Sequence, residues 1–273
     1  MMVEILLFSA VLFSKSLDFE DIRRFTFFGD EKKGDSECVM PGGIIISYQK
    51  ISELYFSVDG KEFFFLPVPI TASGYINGVK VCEPDFPVEE INLRRRLKKR
   101  FESSDMYDKI KAEKQLLKDI FSQFSNKMWE GDFIFPVKDY KSIRWNFGMR
   151  RKINGYLSGY HKGIDISARK GTKVFASNSG VVVLARRFTL EGNLIVIDHG
   201  NGVFSIYAHL WKFFVKEGDR VSKGELIGLV GSTGRSTAPH LHFGVKVSGV
   251  DVHPAIFFNI SKIVSETTGL VGK

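Results

Sequence analysis

Five polar side chains fall in three short motifs in the second half of this chain. They are His161 and Asp165 in YHKGIDI, His209 in IYAHLW, and His240 and His242 in APHLHFGV. The 273-residue sequence has six histidines, and four of them lie in these motifs. Residues two apart in a strand point to the same face, so His240 and His242 can aim at one point. Imidazole nitrogen and carboxylate oxygen suit a borderline ion such as zinc, and three protein ligands leave a fourth position open. A site of that kind is suited to hydrolysis rather than to holding a fold together. There is no HExxH motif, so the glutamate base of that other zinc-peptidase class is missing.

The segments that must carry these residues read as strands. VVVLA, NLIVIDHG, VFSIYAHL, ELIGLVG and HLHFGVKV are separated by glycine-rich turns, with no helical pattern between them. This predicts an antiparallel β core from Gly131 onward rather than an α/β arrangement. If the strand is regular, Tyr207 shares a face with His209. Upstream, IIISYQ, LYFSV, EFFFLPVPI and GVKV lie between Cys38 and Cys82 and predict a small β domain. Asp59-Gly60 is a hairpin signal, and Pro67 and Pro69 imply an edge strand or an irregular segment. From Pro87 to Trp129 the sequence is highly charged, with Ile110, Leu117, Ile120 and Phe124 at helical spacing on one face. Ser103 or Ser104 suits the start of that helix. The basic cluster from Arg94 to Arg100 reads as a solvated face in preference to a contact for an acidic polymer.

Bulk properties narrow the classes. The chain is 44% hydrophobic and 26% charged, as in a folded globular protein. A net charge of +8 and a pI near 9.3 fit a basic solvated surface or affinity for a polyanion such as the cell wall. No nucleic-acid module motif is present, so no nucleic-acid partner is expected. GSTGRSTAP lacks the GxxxxGK[ST] pattern of a phosphate loop. Ile5 to Phe13 is an apolar run too short to span a bilayer, and Ser14-x-Ser16 follows it with a small-x-small pattern. Glu4 and the lack of an early Lys or Arg argue the other way, for a buried N-terminal element. Export through a cleaved signal over residues 1–16 is the expectation, with no transmembrane anchor afterwards. Cys38 and Cys82 pair in an oxidising compartment or stay as thiols.

HKGID, YAHL and GSTGRSTAPHLHF, with GTKVFASNSGVVVLA, GNLIVIDHGNGVFSIYAHL and VKEGDRVSKGELIGLVGSTGRST between them, carry a family resemblance. From about Trp129 to Pro254 the chain resembles the M23 (LytM/lysostaphin-type) zinc endopeptidases, which cut peptide cross-links in bacterial peptidoglycan. The resemblance implies that His161, Asp165 and His242 bind one Zn2+ and that His209 and His240 are catalytic. One imidazole would take a proton from water, and the other would stabilise the oxyanion or protonate the leaving amine. MPGGIIIS and LPVPITASGYINGVKV more loosely resemble an immunoglobulin-like module that precedes some M23 domains.

The expected fold is mainly β: an antiparallel M23-type catalytic domain (131–260) after a small β-sandwich-like domain (17–88) and a helical connector (89–130), with a tail at 261–273. The implied partners are peptidoglycan peptides and an envelope regulatory protein, and the implied location is the cell envelope or periplasm. Some M23 relatives have lost their ligands and act as non-hydrolytic activators; here the set is complete, which favours activity. VKEGDRVSKGELIGLVGS resembles half of a biotinyl carrier but lacks the acceptor lysine in the following turn. His199 and His253 read as structural or exposed, Asn154 as a turn residue in preference to one lining the cleft, and Arg235 as solvent-exposed, the simpler alternative to meeting a substrate carboxylate. Phe188 stands near a position where the family often has tyrosine.

Overall fold

The computed structural model describes residues 26–28, 38–47, 52, 55–58, 61–84, 86–91 and 104–260. The signal-like segment, the Asp59-Gly60 turn, the Arg94 to Arg100 cluster and the tail lie outside the described residues. The described chain is mainly β, and all but two of its strand pairings are antiparallel. An eight-stranded sheet dominates. Its path runs Arg220–Val221, Gly180–Phe188, Gly192–Asp198, Val203–Leu210, His240–Val247, Ile164–Ser167 and Ser142–Arg144, and Val250–Val252 pairs with the far end of His240–Val247.

Both faces of this sheet are covered, which is why GNLIVID reads as a nearly unbroken apolar run. One face carries Ile195, Ile197, Tyr207, Phe243 and Val245 in the main core. The other carries Leu194, Val196 and Phe204, packed under the helix Ser104–Phe121. Asp105 in the first turn and Lys118 in the last complement that helix's dipole. Ile120 and Phe121 are buried against the sheet, with Phe121 edge-on to Phe204 at 5.4 Å between centroids. Burial of such side chains contributes about 1.5–3 kcal/mol each. Leu117 packs alongside, as its spacing predicts. Phe124 does not: the helix ends at Phe121, and Phe124 is 58% exposed. Phe121 takes the core position instead.

The upstream β region forms a four-stranded sheet in the order Thr26–Phe28, Ile44–Ser47, Lys61–Pro67, Tyr55–Val58, together with a two-stranded hairpin of Tyr75–Ile76 and Val79–Lys80. Lys61–Pro67 is interior to its sheet, not an edge strand. It changes partner at Phe64: residues 61–64 pair with Tyr55–Val58 and residues 64–67 with Ile44–Ser47. Pro67 therefore has a strand neighbour on one side only and no lost ladder bond on the other. Cys38 and Cys82 are joined by a disulfide across a sequence separation of 44. A loop of that size contributes about 4 kcal/mol in the chain-entropy account. Val88–Ile91 pairs in parallel with Arg150–Ile153, so the chain enters the site's own neighbourhood before the long helix begins.

Two histidines outside the three motifs are buried. His253 lies between Trp145 and Phe147. His199 holds Ser179 O at 2.7 Å through Nδ1 and Ser205 Oγ at 2.7 Å through Nε2. Burial pushes the His199 pKa down to about 4. The folded state therefore keeps this ring neutral after the unfolded chain has begun to protonate it near pH 6.5. The stability this provides is complete above pH 6.5 and is lost as pH falls towards 4. Urea unfolding should show a gap between wild type and His199→Gln that narrows by about 2–3 kcal/mol from pH 7 to pH 4.5. A gap independent of pH would rule out this protonation linkage.

Candidate metal centre and catalytic face

Ile164–Ser167 pairs antiparallel with His240–Val247, and the register sets Asp165 opposite His242 and Ser167 opposite His240. Leu241 and Phe243 fill the main core, so the alternating His240 and His242 face the opposite side. His161 precedes the Asp165 strand and is held by backbone bonds from its N–H to Met149 O and from Gly148 N–H to its carbonyl. Gly163 allows the two strands to meet here. A Cβ on it would lie 2.3 Å from Phe243 O and 3.0 Å from His242 Cε1.

Three donor atoms converge. His161 Nε2 lies 2.9 Å from His242 Nδ1 and 3.1 Å from Asp165 Oδ1, and the third edge, His242 Nδ1 to Asp165 Oδ1, is 3.0 Å. Zinc held tetrahedrally at about 2.0–2.1 Å requires donor separations of about 3.3 Å. The triangle fits such an ion with small adjustment. The second ring nitrogen of His161 is 3.0 Å from Asn146 O, so its N–H donates there and Nε2 keeps its lone pair. Asn146 Nδ2 donates to Asp165 Oδ2 at 2.9 Å, and Arg151 Nη2 lies 3.6 Å from the same oxygen. These contacts leave Oδ1 for the centre. Burial alone would raise the Asp165 pKa, but the adjacent His161 and His242 outweigh it and hold the carboxyl well below its usual range. Burial pushes His242 down to about 4, so its ring is neutral at pH 7. One carboxylate and two lone-pair nitrogens in a buried cluster are a cation's donor set.

His209 reaches this face by an irregularity. Leu210 pairs with Asn193 and Tyr207 with Ile195, so Ala208 and His209 stand against Leu194 alone, two residues against one. This bulge sits at His209, whose φ is 63°. Tyr207 consequently does not share a face with His209. It is fully buried in the core, accepts a bond from Ser177 N at 2.8 Å and lies 3.0 Å from Ser205 Oγ. The His209 ring turns instead towards His240 and His242, at centroid distances of 4.8 and 6.2 Å. The His209 backbone N–H donates to Glu191 O, and the ring Nδ1 is 2.8 Å from Thr233 O. Thr233 Oγ1 in turn bonds Leu210 O and Asn193 N, both at 2.8 Å. Gly192 makes room for this: φ is +68°, and a Cβ would lie 2.3 Å from Thr233 Oγ1. The GSTGRSTAP loop thus anchors His209 as well as leading into the His240 strand.

His240 Nδ1 lies 2.8 Å from Ala238 O and 3.3 Å from Ser236 Oγ, and its Nε2 is 3.8 Å from Asp165 Oδ1. In both His209 and His240 the Nδ1–H is committed to a backbone carbonyl, which leaves Nε2 as a lone-pair nitrogen. Burial, with His240 and His242 adding to it, pushes His209 down to about 3.

All five residues of the sequence motifs therefore meet on one face. The sequence reading did not single out Asn146 or Arg151, which hold Asp165 and lie in a stretch without a motif of its own. Phe188 is core beneath the helix and not a lining residue. Asn154, with φ of 51°, forms the hairpin turn before Tyr156–Tyr160. Arg235 is half-buried, not simply exposed, because its loop folds against the Gly192 turn.

The His161-Asp165-His242 donor triangle, with two further lone-pair imidazoles beside it, has the donor set and spacing to hold one metal ion. Residues 159–254 match the model of Peptidase family M23, and this part of the chain belongs to that family. The DD-carboxypeptidase/endopeptidase Mpg of Neisseria meningitidis is 43% identical over 125 residues, 46% of this chain and 29% of that protein. The peptidoglycan DD-endopeptidase ShyA of Vibrio cholerae is 47% identical over 121 residues, 44% of this chain and 28% of that protein. The match thus spans under a third of the length of these curated relatives. A crystal structure of an M23 peptidase from Pseudomonas aeruginosa superposes with a TM-score of 0.58 at 23% identity, over 82% of this chain and 96% of that one, and shows the shared fold.

His161→Ala, Asp165→Ala and His242→Ala should each abolish the binding of one zinc ion per chain, measured by metal analysis after dialysis. Asn146→Ala should keep the site but weaken zinc about 10- to 100-fold in chelator competition, because Asp165 Oδ2 loses its orienting bond. Full zinc retention in any of the three ligand variants would remove that residue from the set.

Proposed function

We propose that this protein is a zinc-dependent endopeptidase that hydrolyses the peptide stems or cross-links of bacterial peptidoglycan. The observation that carries this reading is the pair His209 and His240. Both lie outside the donor triangle, both have Nδ1 tied to a backbone carbonyl, and both can turn Nε2 towards the same face. A purely structural metal site has no use for them. The relatives named for DD-endopeptidase activity support the choice of substrate.

His161, Asp165 and His242 hold the zinc, which when bound supplies Lewis acidity to polarise a carbonyl and acidify water. His209, neutral at pH 7, accepts a proton at Nε2 while Thr233 O keeps the ring oriented. His240 Nε2, near Asp165 Oδ1, takes or returns a proton on the other side and hydrogen-bonds the developing oxyanion once protonated. Asn146 and Arg151 keep Asp165 from rotating away during these transfers.

We place the protein outside the cytoplasm, in the cell envelope. The Cys38–Cys82 disulfide supports an oxidising compartment, and among the described residues no helix is long and apolar enough to cross a membrane. In the proposed division, residues 17–88 form an immunoglobulin-like module that positions the catalytic domain or meets an envelope regulatory protein. Residues 89–130 connect it to the peptidase domain at 131–260.

Purified peptidoglycan should yield shortened or uncross-linked peptides with the zinc-loaded protein and none with chelator, as read by mass analysis. A zinc-loaded protein that binds peptidoglycan without cutting it would establish a non-hydrolytic role instead. His209→Ala and His240→Ala should retain zinc and lose about a hundredfold to ten-thousandfold in turnover. Zinc content and turnover need to be measured on the same preparations: loss of metal in His209→Ala would make it a ligand, and full activity would remove it from catalysis.

A further inference from the structure

The loop after Leu226–Leu229 carries one charge that the hydrolytic chemistry leaves unused. Arg235 is two residues beyond Thr233, which anchors His209, and directly precedes Ser236, whose Oγ approaches His240. Its backbone N–H donates to Leu190 O at 2.8 Å, and Glu191, the next residue, accepts the His209 backbone bond. The Arg235 backbone is thus fixed within the loop whose Thr233 and Ser236 contact the two imidazoles. Its side chain is half-buried, yet among the described residues its guanidinium makes no hydrogen bond or ion pair.

The surrounding charges leave it short of an anion. Burial and the charge of Arg151 both push its pKa down, and Glu191 offsets only part of this. Arg151 has its own partners, Glu89 Oε2 at 3.3 Å and Asp165 Oδ2 at 3.6 Å. Glu191 is itself partly buried, with its pKa raised by burial, and makes no ion pair with Arg235. A partly dehydrated guanidinium beside another cation is unfavourable on its own and becomes favourable when a carboxylate meets its planar fork.

We infer that Arg235 is a substrate-binding residue whose guanidinium pairs with a free carboxylate of the peptide close to the scissile bond. The inference rests on the hydrolytic reading above and deepens it by adding a determinant of specificity. A cross-linked peptide offers carboxylates from two sources, a terminal α-carboxylate and the side-chain carboxylate of a dicarboxylic residue. Arginine suits either because its donors match both oxygens at once, which a lysine cannot reproduce.

The test uses three synthetic cross-linked peptides: one with both carboxylates free, one amidated at the terminus and one amidated at the side chain. With zinc-loaded wild type, one of the two amidations should raise KM about tenfold or more, and that peptide names the source. Arg235→Gln should raise KM for the free peptide by a similar factor and remove the discrimination. Arg235→Lys should restore part of it. Discrimination that survives in Arg235→Gln overturns the inference, as does a wild type indifferent to both amidations. A fall in kcat equal on all three peptides, with KM ratios unchanged, assigns Arg235 a structural role and also overturns it. Wild type that cleaves none of the peptides sinks the hydrolytic reading separately. Calorimetric binding of the same peptides to zinc-loaded His209→Ala, with and without Arg235→Gln, then decides the carboxylate contact on its own: equal affinities in the two proteins, or no binding, count against it.

Discussion

The site depends on one register. Antiparallel pairing that sets Asp165 opposite His242 brings a carboxylate and an imidazole to the same face at adjacent positions. A slip of one residue would send His240 and His242 into the core and Leu241 and Phe243 into solvent. The same apolar alternation that fills the core therefore fixes the donor set. Leu241, Phe243, Val245 and Val247 are each fully buried, so the penalty for slippage is several side chains' worth of lost burial, about 1.5–3 kcal/mol for each. No single polar contact in the site approaches that sum. The geometry of the triangle is held by packing on the side away from it.

His209 shows the limit of this economy. A regular Val203–Leu210 strand would bury the imidazole beside Tyr207 and leave the metal face with one fewer group. The bulge reverses that one side chain and leaves both Tyr207 and Leu210 in the main core. A non-glycine residue at φ of 63° is strained, at a cost of order 1–3 kcal/mol. Bonds from Glu191, Thr233 and Asn193 surround the irregularity and offset that cost. This is strain located where the proposed chemistry needs a side chain that the sheet's alternation would otherwise misplace.

Much of this was legible in the chain. Alternation and turn spacing predicted the antiparallel core, and residue type with spacing brought His161, Asp165, His209, His240 and His242 forward. The spacing of His240 and His242 was sufficient because their strand is regular there. The direction of His209 was not legible, since a bulge leaves no mark on a sequence in which a histidine, not a glycine, takes the positive φ. Asn146 and Arg151 were missed for a different reason. They act through Asp165, roughly fifteen to twenty residues away, and their types are common in turns and strands. Phe124 misled because helical periodicity continues for one turn beyond Phe121, where the backbone has already left the helix. Pro67 misled less: a proline needs only a missing neighbour on one side, and a strand that changes partner midway supplies one.

The upstream β region is bound to the site's scaffold by forces of very different size. Ile44, Ile46 and Phe65 belong to the same apolar cluster as Ile164, Phe243 and Val252, while the alternate residue Ile45 turns to a second cluster with Val39, Val68 and Val81. That two-faced burial explains the uninterrupted apolar run in IIIS. Gly42 O accepts the backbone bond of His253, and Phe147 packs where a side chain on Gly42 would stand. Against this, Glu89 meets Arg151 at 3.3 Å and Arg144 at 3.5 Å with both sides partly solvated, and such pairs contribute about 0–1 kcal/mol each. The ion pairs cannot be what holds the two regions together. Their effect is directional: Glu89 fixes Arg151, and Arg151 stands behind the Asp165 oxygen that the donor triangle does not use. Packing sets where the upstream strands lie, and the charges they carry set how the metal-facing carboxylate is turned.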